Sequence, residues 1–207
     1  VKWMVYPALI FMAIGMLVGG IIAFNAFVFP DYFSGEYVQF GRLRPVHVNG
    51  VLFLWLLSAN VGLLYFLVPR LCGVPLWSTK LAAWTAWVWW ITLVVGIFSY
   101  PFGTNFGWEY EELPFQIGPF FYPKIFFTVA WIMLATNIFM TISPSVYKKM
   151  YVSLWYTMGT MIWTALVWIA ANFAILMIPG GLSRVNTNFF YVHNIVGLTF
   201  TPLGVAA

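Results

Sequence analysis

The chain is organised as long apolar runs separated by short polar connections. Six runs stand out, at roughly 3–29, 46–68, 81–101, 118–143, 151–178 and 188–207, with edges blurred by a few residues. Each reaches the ~20 residues that an α-helix needs to cross the hydrocarbon core of a bilayer. No charge interrupts the second run between Pro45 and Pro69. The pattern predicts an all-α integral membrane protein of about six transmembrane helices. It forms a single transmembrane domain over 1–207 whose sequence ends within or just after the sixth helix.

Composition agrees with a bilayer as the solvent. Charged residues make up 7% of the chain and apolar ones 63%, whereas a soluble domain carries roughly a quarter charged residues. The first run is too long for the apolar part of a secretory signal and has no small-residue cleavage site. There is no internal repeat and no low-complexity tract.

The connections alternate in character. Lys2, Arg70, Lys80, Lys148 and Lys149 fall on one side, without acids. Asp31, Glu36, Glu109, Glu111 and Glu112 fall on the other, with Arg42, Arg44, Lys124 and Arg184. Lys and Arg in short loops mark the cytoplasmic side, so five against four places the N-terminus in the cytoplasm by a narrow margin. The net charge of +4 does not point to nucleic acid, because the basic residues form no stripe. Cys72 is the single cysteine, so the chain has no internal disulfide, and without a Cys-x-x-Cys-His string it attaches no c-type haem. Trp77, Trp108 and Trp155 lie near run ends, where an amphipathic ring suits the membrane interface. Gly15 and Gly19 form a small-xxx-small pair that reads as close helix packing.

Ionisable residues at membrane depth are costly and each needs a reason. The chain has two histidines. His47 stands near the start of the second run, and His193 about a turn and a half into the sixth. Both runs begin on the acidic side, so both rings are expected at a similar shallow depth, with Glu109–Glu112 closing the third run on that face. Imidazole ligates haem iron and copper. Arg44, three residues before His47, lies about one turn above it if the helix has already begun, and guanidinium pairs well with carboxylates. Pro45 fits a first helical turn. At i and i+3 of a helix end, Glu109 and Glu112 would face one side. Each residue also has a plainer explanation: a lone interfacial histidine commonly only hydrogen-bonds, loop glutamates are ordinarily solvated, and Arg42 and Arg44 can snorkel to headgroups. With no His-x-x-x-His, Glu-x-x-His or Cys-x-x-Cys, the chain alone completes no ordinary metal site.

The string Phe40-Gly41-Arg42-Leu43-Arg44-Pro45-Val46-His47-Val48-Asn49 resembles the start of the second helix in the catalytic subunit of haem–copper oxidases of the cbb3 type. Tyr191-Val192-His193-Asn194-Ile195-Val196-Gly197 resembles the sixth helix of that family. Pro101-Phe102-Gly103 and Glu109-Tyr110-Glu111-Glu112-Leu113 resemble the loop after its third helix. The resemblance covers essentially the whole chain. It implies that His47 is an axial ligand of a low-spin haem b, that His193 is one of three ligands of copper B beside a high-spin haem b, and that Arg44 and Arg42 serve the haem propionates. It also implies that Glu109 and Glu112 lie at a calcium ion bridging the propionates, a hard cation suited to carboxylate oxygens. Phe189-Phe190-Tyr191-Val192 departs from the family's Trp-Trp-Tyr-Gly.

The implied protein is one half of a twelve-helix bundle in a bacterial inner membrane. It would work with the remaining half of the catalytic subunit and with membrane-anchored c-type cytochrome subunits, reducing dioxygen to water with electrons from cytochrome c and moving protons. Nitric oxide reductases share the helix-two histidine and the two glutamates, but place a glutamate four residues after the helix-six histidine, where this chain has Gly197. A non-catalytic carrier, with His47 and His193 on one haem b, is the second rival. A transporter is a weaker third, since no run looks broken at mid-membrane. Thr201, eight residues past His193, carries a hydroxyl about two turns deeper, though threonines in membrane helices mostly bond locally.

Overall fold

The computed structural model describes residues 1–30, 32–105, 110–145 and 150–206. Asp31, Trp108, Glu109, Lys148 and Lys149, which carry parts of the sequence reading, lie outside the described residues. Among the described residues there are six helices long and apolar enough to cross a membrane: Lys2–Val28, Phe40–Cys72, Thr79–Phe102, Pro123–Ile142, Val152–Met177 and Leu182–Ala206. No strand is present among them beyond an isolated bridge between Ile117 and Phe121. The all-α membrane architecture read from the apolar runs is therefore observed.

Two helices begin six residues before their apolar runs, at Phe40 and Leu182. An apolar count stops at Arg42, Arg44 and Arg184, but the backbone does not. Its hydrogen bonds continue through polar residues whose side chains leave the helix. Arg42 and Leu43 N–H both donate to the carbonyl of Gln39, the extended residue that opens the second helix. The sixth helix opens from Gly181, at φ 85°, a left-handed conformation that costs glycine nothing. Pro45 is consequently inside the second helix rather than in its first turn. A proline removes the hydrogen bond to the carbonyl four residues back, here that of Gly41, and Asn105 Nδ2 donates to that carbonyl instead at 3.3 Å.

The helices cluster into two compact units. One comprises Lys2–Ala59 and Val88–Phe127. Its core holds Phe53, Leu54, Leu57, Trp89, Leu93, Ile97, Tyr100, Leu113 and Phe127, all nearly sealed from the surroundings. Trp89 Nε1 donates to Ser58 Oγ at 2.8 Å, so the indole is packed as an apolar body with its one polar atom satisfied. Trp89 also lies 5.0 Å from Phe127, centroid to centroid. The first helix runs along the Phe40–Leu57 part of the second, and Phe11 stacks on Trp90 at 5.6 Å.

The other unit comprises Asn60–Trp87 and Thr128–Ala207, with Val1. Polar side chains stitch it together. Asn137 accepts from Ser78 N–H at 3.0 Å and returns a bond to the Ser78 carbonyl at 2.8 Å. Trp131 Nε1 reaches the Met161 carbonyl and Trp168 Nε1 the Thr128 hydroxyl. Without water to compete, such bonds and close packing are what join helices in a bilayer.

Candidate functional site

His47 is half-buried, seven residues into the second helix, about two turns from its start. Its Nδ1 lies 2.8 Å from the carbonyl oxygen of Gly15 on the first helix. A carbonyl only accepts, so Nδ1 carries a proton, and the lone pair of the neutral ring is then on Nε2. This is the arrangement in which a metal-binding imidazole is held by its second nitrogen. Gly19, one turn further along the first helix, faces the same ring. A Cβ built there would sit 2.5 Å from Cε1 and 2.6 Å from Nδ1. The Gly15–Gly19 pair is thus more than a helix-packing pair: one residue supplies the acceptor and the other the room. Gly19→Ala is expected to push the ring off Gly15, at about 1–3 kcal/mol. A lowered thermal midpoint would show it; an unchanged midpoint would contradict it.

Arg44, three residues before His47 on a continuous helix, shares its face and stands over the Tyr110 ring at 5.5 Å. Arg42 is committed to the protein. It pairs with Glu36 at 2.7 Å and donates to the Pro101 carbonyl at 2.7 Å, tying the approach to the second helix to the end of the third.

The acidic loop departs from expectation. The third helix ends at Phe102, and the described part of the Glu109–Leu113 string is irregular chain rather than a helix end. The i, i+3 argument therefore does not apply to 110–113, and Glu109 lies outside the described residues. Glu111 and Glu112 are not solvated: they are 4% and 5% exposed. The Glu111 carbonyl accepts from Asn49 Nδ2 at 2.7 Å and from the Tyr100 hydroxyl at 3.0 Å. Leu113 is fully enclosed, in space that a Cβ at Gly96 would take, 2.5 Å away. Lys124, counted with the charges of the connections although it falls inside the 118–143 run, is the second residue of the fourth helix and 1% exposed. It interacts electrostatically with both Glu111 and Glu112.

His193 belongs to the other unit. It is exposed and lies eleven residues into the sixth helix, about three turns rather than the turn and a half counted from its apolar run. Gly197, four residues on, has open space where a side chain would stand. Thr201 bonds locally, to the Val196 carbonyl at 3.1 Å. Thr199, by contrast, carries a buried hydroxyl, 2.6 Å from that of Thr164.

Both histidines precede a widened π-helical stretch by three residues. These are Gly50–Leu57 after His47 and Val196–Phe200 after His193. At each, the first N–H of the stretch points at the histidine carbonyl and the one before it. π-turns within α-helices concentrate at functional sites. No apolar pattern reports them, nor does one report the Gly15 acceptor or the burial of Lys124.

The residues meet the chemistry of the implied groups unequally. His47 fits a haem ligand, with an oriented ring, a free lone pair and an arginine one turn away. His193 offers one exposed imidazole. Among the described residues, no three of His, Cys, Asp and Glu converge as a metal group, so a copper site at His193 would need donors from elsewhere. The described acids suit calcium less well, because Glu111 and Glu112 already interact electrostatically with the Lys124 ammonium.

The sequence-family model for "Cytochrome C and Quinol oxidase polypeptide I" matches residues 1–207. The cbb3-type cytochrome c oxidase subunit CcoN1 of Stutzerimonas stutzeri is 30% identical over 176 residues, 82% of this chain and 36% of its own length. A cytochrome c oxidase subunit 1 homolog of Agrobacterium tumefaciens is 25% identical over 210 residues, 97% of this chain and 38% of its own length. Cytochrome c oxidase subunit 1 of Rhodobacter capsulatus is 27% identical over 201 residues, 91% of this chain and 36% of its own length. The chain thus spans a little over a third of the length of these relatives.

Proposed function

Because the chain belongs to the cytochrome c and quinol oxidase polypeptide I family, we propose that it is part of the catalytic subunit of a cbb3-type oxidase, which reduces dioxygen to water with electrons from cytochrome c. In this reading His47 ligates the low-spin haem b through Nε2. His193 supplies one of the copper B ligands, beside a high-spin haem b. These groups supply electron relay and oxygen reduction. The chain's own residues orient them: Gly15 fixes the His47 tautomer, Gly19 leaves its ring room, and Arg44 faces the propionate side, while Arg42 holds the surrounding loops. The observation that carries the reading is the His47–Gly15 hydrogen bond within a helix start that resembles the cbb3 pattern.

The proposal extends to calcium, with Glu109 its more direct ligand and Glu112 behind it. It also extends to coupled proton translocation, to membrane-anchored c-type cytochromes as partners, and to a bacterial inner membrane with a cytoplasmic N-terminus. Five Lys and Arg against four support that orientation. A nitric oxide reductase is the second reading, disfavoured by Gly197, which has no side chain to offer a non-haem iron.

Metal and haem analysis of the purified full complex tests the assignment. Copper together with haem b is expected. Non-haem iron in place of copper would overturn the oxidase reading in favour of the reductase, and haem b with neither metal would leave an electron carrier.

A further inference from the structure

The function above makes no use of Lys124. Its place is an awkward one for a cation. It is enclosed, and an unpaired buried ammonium is costly. It is also the second residue of the fourth helix, after Pro123, at the positive end of the helix dipole, where anions are favoured. Two effects therefore oppose a charge at this position. The compensation comes from Glu111 and Glu112, enclosed in the same unit: Leu113, Pro114 and Pro123 all lie within 4 Å of the Cβ position at Gly96, which brings the acidic loop to the head of the fourth helix, and both acids interact electrostatically with Lys124. The loop bearing them is also held by its backbone, through Asn49 and Tyr100 on the Glu111 carbonyl.

We propose that the Lys124 ammonium is a built-in counter-cation for the enclosed Glu111–Glu112 pair, so that the chain itself neutralises this loop and keeps it in place when divalent cations are removed. Lys124 is then a positioning residue. The inference draws on the proposed function only in treating the loop as the neighbourhood of a calcium ion. Its outcome does not depend on oxygen reduction.

The test compares the purified full complex with Lys124→Met, Lys124→Arg and Glu111→Gln/Lys124→Met, before and after exhaustive chelation and after calcium is returned. Thermal midpoint and bound calcium are read, with copper content and oxygen reduction followed separately. The wild type should hold its midpoint on chelation. Lys124→Met should lose on the order of 10 °C, as expected when one partner of a buried ionic group is removed, and regain part of it with calcium. Lys124→Arg should behave like the wild type. Glu111→Gln/Lys124→Met should exceed Lys124→Met, because a charge and its partner leave together. If Lys124→Met does not accumulate, recovery of the double variant supports the proposal, and its absence as well overturns it. A wild type that falls on chelation as far as Lys124→Met does overturns it too, as does an equal loss in all three variants. Missing copper or oxygen reduction alongside the expected midpoints would instead sink the oxidase reading alone.

Discussion

Replacing His47 with alanine is expected to abolish the low-spin haem b signal while the protein remains inserted in the membrane. The loss should be complete, because no other histidine belongs to its unit. Even loss of the orienting partner of a metal-bound imidazole typically costs 10–100-fold in metal affinity, and removing the imidazole itself costs more. The cost to the fold is modest by comparison. His47 is only half-buried, and its hydrogen bond to Gly15 is worth about 1 kcal/mol. Insertion depends on six apolar spans, none of which the substitution shortens. The check is the reduced-minus-oxidised spectrum of the membrane fraction, normalised to the amount of protein. A normal haem b band in the variant would remove His47 from the site.

His193→Ala is expected to end oxygen reduction and lower the copper content while the low-spin haem at His47 survives. His193 is exposed on its helix, so truncation leaves no cavity in the described core and a folding defect is a poor explanation for lost activity. A copper site of three imidazoles that loses one loses both affinity and geometry, since first-row metal sites are selected by ligand type and number. Spectrum, metal content and oxygen consumption together separate the readings. In the carrier, where both histidines hold one haem, the substitution would strip a ligand from that haem and erase the low-spin spectrum. In a nitric oxide reductase the metal lost would be iron. Retained oxygen consumption at wild-type copper content would remove His193 from the catalytic site.

Both substitutions act at residues legible in the primary structure, and the reason is the solvent. A bilayer tolerates few ionisable groups, so two histidines at the heads of apolar runs stand out without any coordinates. The six spans are legible for the same reason: every backbone polar group in hydrocarbon must be satisfied within its own helix or barrel, and the length of the apolar run follows from the thickness to be crossed. Arg44 three residues before His47 also survives folding as a pair on one face, since the helix has begun by Phe40.

What tertiary structure decided is who faces whom. Helix starts at Phe40 and Leu182 escape an apolar count because a polar turn is still a helix when its side chains find loop carbonyls or other charges, as Arg42 finds Pro101 and Glu36. Gly15 and Gly19 look like any small-residue pair until the second helix brings an imidazole against them. Thr201 and Thr199 are alike in composition, and only the position of Thr164 makes Thr199 the enclosed one. The burial of Glu111, Glu112 and Lys124 is not legible in the sequence, because burial is not a property of a side chain but of what surrounds it. The folded chain encloses all three, and a buried charge is tolerable only where its opposite is enclosed with it.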